Sequence, residues 1–307
     1  MLLHSYSYQI LNCLKERMLI IMTIFDMVKA GAPPVVLHDK IDTVIVHGSV
    51  FHADEVTLVA LIKECHNPNV EVIRTNNLDK YKPGNGVLIA DIGEEYDGEW
   101  QYDHHQIIWD CSNPDEARSS IGLFWDDWCD NKTYYKFTTL VREIDKYDNI
   151  KNGPYQLPLL ISEMNPSYEC DHSENTLRTY FDAAVNLMRV HIRARLSTCL
   201  TELRADHYIK EHCKIDNGIL IVDSSVPWRH FVYQNNIRAV ISRGRTHGYY
   251  KIYPVRQYFP KHWVIRPTSR PKSVTWIHAG RFVCECNSFK SAMYIANKYC
   301  KKYKKGE

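Results

Sequence analysis

The stretch TVIVHGSVFHADEVTLVALIKEC, residues 43–65, decides the fold. Thr43 to His47 is a short β-branched run that reads as a buried strand. Asp54 to Cys65 is an apolar segment long enough for a helix, with Asp54 near the N-terminus, where the helix dipole favours a carboxylate. The same alternation continues along the chain. Glu71 to Thr75 reads as a second strand, Pro83, Gly84 and Gly86 as a turn, Val87 to Asp91 as a third strand and Trp100 to His104 as a fourth. Ser119 opens a Trp-rich helix, and Thr138 to Tyr147 forms another. Strands alternating with helices imply an α/β fold with a mostly parallel sheet, whose ligand site lies off the carboxyl ends of the strands.

The rest of the chain is organised around this lobe, which spans 41–172. Residues 1–40 have little amphipathic period and close on Gly31, Pro33 and Pro34, so they read as an N-terminal extension, disordered or targeting. Residues 173–212 contain no Gly or Pro and keep Leu177, Phe181, Val185, Met188, Ile192 and Leu196 at helical spacing, which predicts a long connecting helix. Beyond it, strand-like runs at Ile219–Val222, Ile237–Ile241, Tyr249–Val255 and Val274–Ile277 and a last helix from Ser288 to Tyr303 predict a smaller C-terminal α/β lobe, 213–307.

Composition narrows the function classes. Of 307 residues, 45% are hydrophobic, enough for one or two cores. Thirty-eight Lys and Arg against 36 Asp and Glu leave a net charge of +2, so no global basic field drives the chain onto a polyanion, and a local site must do so. The longest clean apolar run, Met18 to Phe25, falls well short of the roughly 20 residues that span a bilayer, which argues against a membrane anchor. Ten cysteines are dispersed without a Cys-x-x-Cys pair, as expected of reduced thiols in an intracellular protein of the nucleus or cytoplasm, or of the mitochondrion if the extension is a targeting segment. Cys284 and Cys286 lack the second pair that a structural zinc site needs.

Three strand ends carry the chemistry. The first supplies His47, His52, Asp54 and Glu55, the second Asp91, and the third Asp103, His104 and His105. In a parallel sheet these loops converge on one edge. Taken singly, each residue has a plainer reading: Asp54 as a helix cap, His52 as a structural histidine, Asp103 as a group that orients a neighbouring imidazole. Together, imidazole nitrogens and carboxylate oxygens suit divalent first-row ions, and five or six ligands are too many for one tetrahedral site, so two metals are implied. No Gly-x-Ser-x-Gly and no Walker-type loop offers another route to phosphate chemistry.

The motifs Val-His-Gly-Ser-Val-Phe-His-Ala-Asp-Glu, Asp-Ile-Gly-Glu-Glu-Tyr-Asp and Tyr-Asp-His-His-Gln, in this order, resemble the eukaryotic melanocyte-proliferating-gene exonuclease family, which is itself similar to the DHH phosphoesterases. The resemblance continues through Ala117-Arg-Ser-Ser-Ile-Gly-Leu, Glu143-Ile-Asp-Lys-Tyr-Asp-Asn, Met164-Asn-Pro, Val226-Pro-Trp and Ile277-His-Ala-Gly-Arg-Phe, and so covers residue 43 to about 300. It implies a metal-dependent phosphodiesterase, a 3′-5′ exonuclease on RNA or short oligonucleotides, with two divalent ions, Mn²⁺ first among them. His47, His52 and Asp91 would hold one ion. Asp54, Asp91, His104 and an aspartate of the fourth motif would hold the other, with Asp91 bridging. For that last ligand the resemblance favours Asp145 over Asp148, although the two lie one helical turn apart and either can face the ions. Asp103 would hold His104 through its second nitrogen, and His105 would point at the substrate phosphate.

In the C-terminal lobe the resemblance assigns His278, Gly280 and Arg281 to substrate binding. There the chain departs from the expected pair of glycines: Val283-Cys284-Glu285-Cys286 reads as a drifted loop beside an anionic ligand. The expected partner is a single-stranded RNA or oligonucleotide substrate, with no obligate protein partner. Two other readings stand beside this one, a hydrolase of small phosphoanhydrides or dinucleotides and a non-catalytic RNA-binding relative.

Overall fold

The computed structural model describes residues 40–108, 113, 115–129, 134–150, 156–222, 226–244 and 246–301. The expected N-terminal extension, apart from Lys40, lies outside the described residues. The chain divides into two compact units with the boundary between Cys199 and Leu200.

In the first unit, β1 (Thr43–Val46), β2 (Glu71–Arg74), β3 (Val87–Ala90) and β4 (Gln101–Tyr102) form a sheet of order β2-β1-β3-β4 in which every pairing is parallel. Between them runs α1 (Ala53–Cys65), which is buried without interruption from Ala53 to Ile62 and packs against the three helices that follow the sheet, α2 (Ser120–Trp128), α3 (Tyr135–Ile150) and α4 (Gln156–Glu163). A helix apolar on nearly all sides belongs in a core. The α/β class and mostly parallel sheet expected from the alternation are what the structure has. α4 was not legible as a helix because it contains Pro158, but that proline occupies the first turn, where its missing N–H costs nothing.

Next comes α5 (Glu174–His212), a continuous helix of 39 residues. Within the first unit it is fastened by Phe181, which stacks edge-on to Phe51 at 5.7 Å, and by Arg193, whose guanidinium donates to both oxygens of Glu64 at 2.6 and 2.9 Å.

The second unit holds a six-stranded mixed sheet. β5 (Lys214–Asp216) turns through Asn217 and Gly218, both at positive φ, into β6 (Ile219–Val222), the two-residue hairpin such a pair favours. α6 (Arg229–Gln234), β7 (Ala239–Arg243), β8 (Tyr250–Pro254), α7 (His262–Ile265), β9 (Val274–Ile277), β10 (Cys284–Cys286) and α8 (Phe289–Tyr299) complete the unit, and the sheet order is β5-β6-β7-β8-β10-β9. Alternate residues feed two cores: Ile219, Ile241, Ile252 and Ile295 in one, Leu220, Val222, Val240 and Phe231 in the other. The drifted loop expected at Val283–Cys286 is instead strand β10, paired on both edges. Its two cysteines are fully buried in the first of these cores, so the segment is a packing element rather than a ligand loop.

One close approach in the first unit generates a test. A Cβ on Gly122 of α2 would lie 2.1 Å from Asp145 Oδ1 of α3. Gly122→Ala is expected to destabilise the protein by roughly 3 kcal/mol in urea unfolding; an unchanged midpoint would show that the helices do not meet there.

Candidate metal centre

The cluster is built by the ends of parallel strands, where consecutive loops converge. At the end of β1 the chain leaves the sheet at His47, and two side chains pin the loop that follows. Asn76 accepts from Gly48 N–H at 2.9 Å, and Asn165 both accepts from Phe51 N–H and donates to Phe51 C=O, at 2.9 and 2.8 Å. The loop ends at His52, the residue before α1, whose backbone N–H donates to Glu55 Oε1 at 2.8 Å. Asp54 and Glu55, both in the first turn of α1, are completely buried.

At the end of β3, Asp91 adopts φ of 57°, the left-handed region that aspartate tolerates better than most residues. Its N–H still donates to Tyr102 C=O at 3.1 Å, so the turn comes after the last ladder bond. The two oxygens of its carboxylate face different partners: Oδ2 lies 3.1 Å from His47 Nε2, and Oδ1 lies 3.5 Å from His104 Nε2 and accepts from Ser120 Oγ at 3.2 Å. His104 Nε2 is also 3.1 Å from Asp148 Oδ2 and 3.9 Å from Asp54 Oδ2. Three ligand groupings result, His47–His52–Glu55–Asp91, Asp91–His104–His105 and His52–Asp54–Asp148, in each of which the donor atoms lie within 4.8 Å of one another.

The structure therefore brings together His47, His52, Asp54, Asp91, His104 and Asp148, and three details differ from the sequence reading. Asp145, favoured as the last ligand, is turned away. Its Oδ1 accepts from Ser119 N–H at 2.9 Å and from Ser119 Oγ at 2.8 Å, and its Oδ2 accepts from Arg142 at 2.8 Å, so the carboxylate is spent on joining α2 to α3. Asp148, one turn on, faces the cluster. Asp103 holds His105 rather than His104: its Oδ1 is 2.6 Å from His105 Nδ1 and also accepts His105 N–H, while its Oδ2 accepts from Glu94 N–H. The strand ends at Tyr102, and the Asp103 carboxylate accepting the N–H two residues on closes an Asx-turn, which is why 103 meets 105. The third difference is Glu55, named at the first strand end but given no ligand role by the resemblance; its Oε1 lies 3.1 Å from His47 Nε2.

The electrostatics fit a cation. Four carboxylates, Asp54, Glu55, Asp91 and Asp148, converge with little water to screen them. Burial works against charge on His47, but Asp91 and Glu55 outweigh it and push the imidazole up to about 10; Asp148 and Asp91 do the same to His104, also to about 10. Burial, then the neighbouring charges of Asp91, Asp148 and Glu55, push Asp54 well above the usual carboxylate range. Asp91 is buried too, yet His104 and His47 hold it below that range. Protons thus do the neutralising that bound cations would do, and metal binding would displace them. Among the described residues, seven buried side-chain nitrogens or oxygens lack a hydrogen bond, and five belong here: His47 Nε2, Asp54 Oδ1, Glu55 Oε2, Asp91 Oδ2 and His104 Nε2. Several of these atoms stand at ion-pair distance from one another without hydrogen-bond geometry, so their lone pairs converge on shared space. The residues present fit divalent ions.

Comparison with known proteins agrees with this reading of the motifs. The family described as MYG1_exonuc, "Uncharacterised protein family (UPF0160)", matches residues 43–140. Over this segment the chain is similar to the MYG1 family. A curated relative, "MYG1 protein YER156C" of Saccharomyces cerevisiae, is 22% identical, the match covering 61% of this chain and 68% of that protein. Similar solved structures include a pGpG-specific phosphodiesterase, PggH, from Vibrio cholerae (11% identity, 83% of this chain and 96% of that one, TM-score 0.28). RecJ from Thermus thermophilus in complex with Mg²⁺ is another (10%, 85% and 50%, 0.25). A third is an exopolyphosphatase-related protein from Bacteroides fragilis (8%, 84% and 91%, 0.24).

The two aspartates of α3 can be separated by measurement. Asp148→Asn is expected to weaken Mn²⁺ binding in isothermal titration at least tenfold, roughly the lower bound for disturbing a ligand's surroundings, with little change in melting. Asp145→Asn is expected to keep Mn²⁺ binding and to lose about 1–3 kcal/mol of stability, because Ser119 and Arg142 lose a charged acceptor. The opposite pattern would restore Asp145 as the ligand.

Proposed function

We propose that this protein is a metal-dependent phosphodiesterase, a 3′-5′ exonuclease that acts on RNA or short oligonucleotides. The observation that carries the hydrolytic reading is Asp91, a buried carboxylate whose two oxygens are divided between His47 and His104 in the manner of a bridging ligand. The exonuclease reading and the choice of RNA rest on the ordered motifs shared with the MYG1 family.

His47, His52 and Glu55 would hold one ion and Asp54, His104 and Asp148 the other, with Asp91 common to both. Mn²⁺ suits this mixture of imidazole and carboxylate. When bound, such a pair supplies Lewis acidity that acidifies water and neutralises charge developing on the phosphate oxygens. The protein's own contribution is positional. Ser120 fixes one oxygen of Asp91, Asn165 fixes the loop that presents His52, and the buried flank of α1 keeps bulk water from the carboxylates. His105 differs from the other histidines: its side chain is 52% exposed. The hydrogen bond from Nδ1 to Asp103 raises its pKa, so it presents a proton at Nε2 to a phosphate oxygen or to the leaving hydroxyl.

His278, Gly280 and Arg281 are proposed to contact substrate. Within the second unit His278 Nδ1 accepts from Gly280 N–H at 2.9 Å, and Arg281, at φ of 61°, donates to Phe259 C=O at 3.2 Å and lies over Tyr258. The guanidinium is half-exposed and has further donors to offer a phosphate.

Activity on end-labelled single-stranded RNA is expected to require added Mn²⁺ and to disappear with chelator; sustained hydrolysis by metal-stripped protein would refute the reading. Asp91→Asn is expected to reduce turnover by several orders of magnitude. His105→Ala is expected to lower kcat roughly 10²–10⁴-fold, the usual worth of a positioned proton donor, while metal content by elemental analysis stays unchanged. Product lengths would separate chain-end trimming from cleavage confined to dinucleotides or phosphoanhydrides.

A further inference from the structure

The loop between His47 and His52 carries two imidazoles of one ion site at its ends, and a cation that has no role so far is fastened to its middle. Arg74 is the last residue of β2 and stands beside Val46 in the parallel ladder, so its side chain leaves the sheet next to the point where β1 runs out into His47. Its Nη2 donates to Ser49 C=O in the loop, and its Nη1 donates at 3.4 Å to Leu177 C=O of α5, 103 residues further along the chain. The guanidinium lies over Phe181 at 4.6 Å and over Phe51 at 5.7 Å, two fully buried rings that meet edge-on. Phe51 belongs to the loop and Phe181 to α5, so one planar cation from β2 joins all three elements.

The loop's path matters because His47 is set by the sheet and His52 by the start of α1, and their rings lie 5.4 Å apart at 47°. Ser49 is where that path is held: Arg74 takes its carbonyl, and Asn76, two residues beyond Arg74, donates to its hydroxyl at 3.2 Å. The charge of Arg74 points the other way. Among the described residues no carboxylate forms an ion pair with it, and its Nε is buried without a hydrogen bond. Burial lowers its pKa, and Glu55 and Asp182 oppose this through space. Because Glu55 is itself among the candidate ligands, a fixed positive charge near it repels a bound ion. Placement and charge therefore act on metal affinity with opposite signs, and a measurement can tell them apart.

We propose that Arg74 is a positioning residue for the metal centre: by clamping Ser49 against Phe51 and α5 it sets the spacing of His47 and His52 for the ion they share. The proposal rests on the metal-dependent reading given above.

The test uses the full chain as wild type, Arg74→Met and Arg74→Lys, at a temperature where melting curves show each to be folded. Methionine keeps an apolar stem against the rings without charge or donors; lysine keeps the charge and a donor but not the planar fork. Mn²⁺ binding is measured by calorimetry, and hydrogen exchange of residues 48–51 by mass spectrometry in the presence of chelator. Arg74→Met is expected to weaken one of two bound ions roughly 10–100-fold, the usual worth of a group that orients a ligand, to leave the other ion's affinity unchanged and to speed exchange of the loop; Arg74→Lys is expected to fall between it and wild type. A lower melting temperature with unchanged Mn²⁺ affinity overturns the proposal, since Arg74 then serves stability alone. Tighter Mn²⁺ binding in Arg74→Met also overturns it, because charge then outweighs placement, and so does unchanged loop exchange. The exchange measurement contains no metal and separates the two failures: wild type that binds no Mn²⁺ while the variant loop exchanges faster refutes the metal reading, and the role given to Arg74 with it, whereas wild type that binds two ions beside an unaltered variant refutes the role of Arg74 alone.

Discussion

The structure of the first unit turns on one carboxylate placed where two imidazoles must meet it. Asp91 is the first residue after β3, and its left-handed backbone carries the chain off the sheet while its N–H still closes the last bond to β4. That geometry sends the carboxylate sideways along the strand ends instead of up or down, so one oxygen reaches the loop of β1 and the other the loop of β4. A residue in the ordinary β region would point the carboxylate to one face and serve one neighbour. Strain of this kind costs of order 1–3 kcal/mol and persists only where surrounding structure over-determines it; here the parallel ladders on both sides of β3 and the hydroxyl of Ser120 do so.

The cost of gathering four carboxylates is met by the way they are buried. α1 brings Asp54 and Glu55 into the core on a helix whose other residues are almost all apolar, so no water reaches them to screen their repulsion. Glu55 is tied by the backbone N–H of His52, and the histidines supply the countercharge. Such a cluster is stable only when it is occupied by protons or by cations, and its affinity for the latter rises as pH rises and the protons leave. The fold does not merely carry the site; the most buried helix of the unit is oriented so that its first turn is the site.

Much of this was legible in the chain, and the failures have physical reasons. β1, α1, β3 and the single-residue placement of His47, Asp91 and His104 follow from period and from the rule that loops at the carboxyl ends of parallel strands converge. Asp145 and Asp148 were not separable from sequence, since residues three apart share a helix face and differ by about 60° in direction; only Ser119 and Arg142, brought up by α2 and by α3 itself, reveal which is engaged elsewhere. The place of Glu55 beside the ligands was masked by an innocent explanation, because a glutamate three residues after the start of a helix ordinarily caps it, and this one does so while also approaching His47. The pairing of Asp103 with His105 follows from the habit of aspartate to close an Asx-turn onto the N–H two residues on. Strand β5 was announced by the Asn217-Gly218 dipeptide, whereas β10, three residues long with two cysteines, has no pattern from which a strand is inferred.

Asn165 makes two hydrogen bonds to the backbone of Phe51, 114 residues earlier in the chain. Its amide acts as a splint in the manner of a neighbouring strand, satisfying one donor and one acceptor of a loop that has none of its own nearby. During synthesis the histidines and carboxylates of the first three motifs emerge long before that splint exists, and Asp148 only shortly before it. A chain interrupted anywhere ahead of residue 165 holds most of the candidate ligands while the loop that presents His52 still lacks its splint.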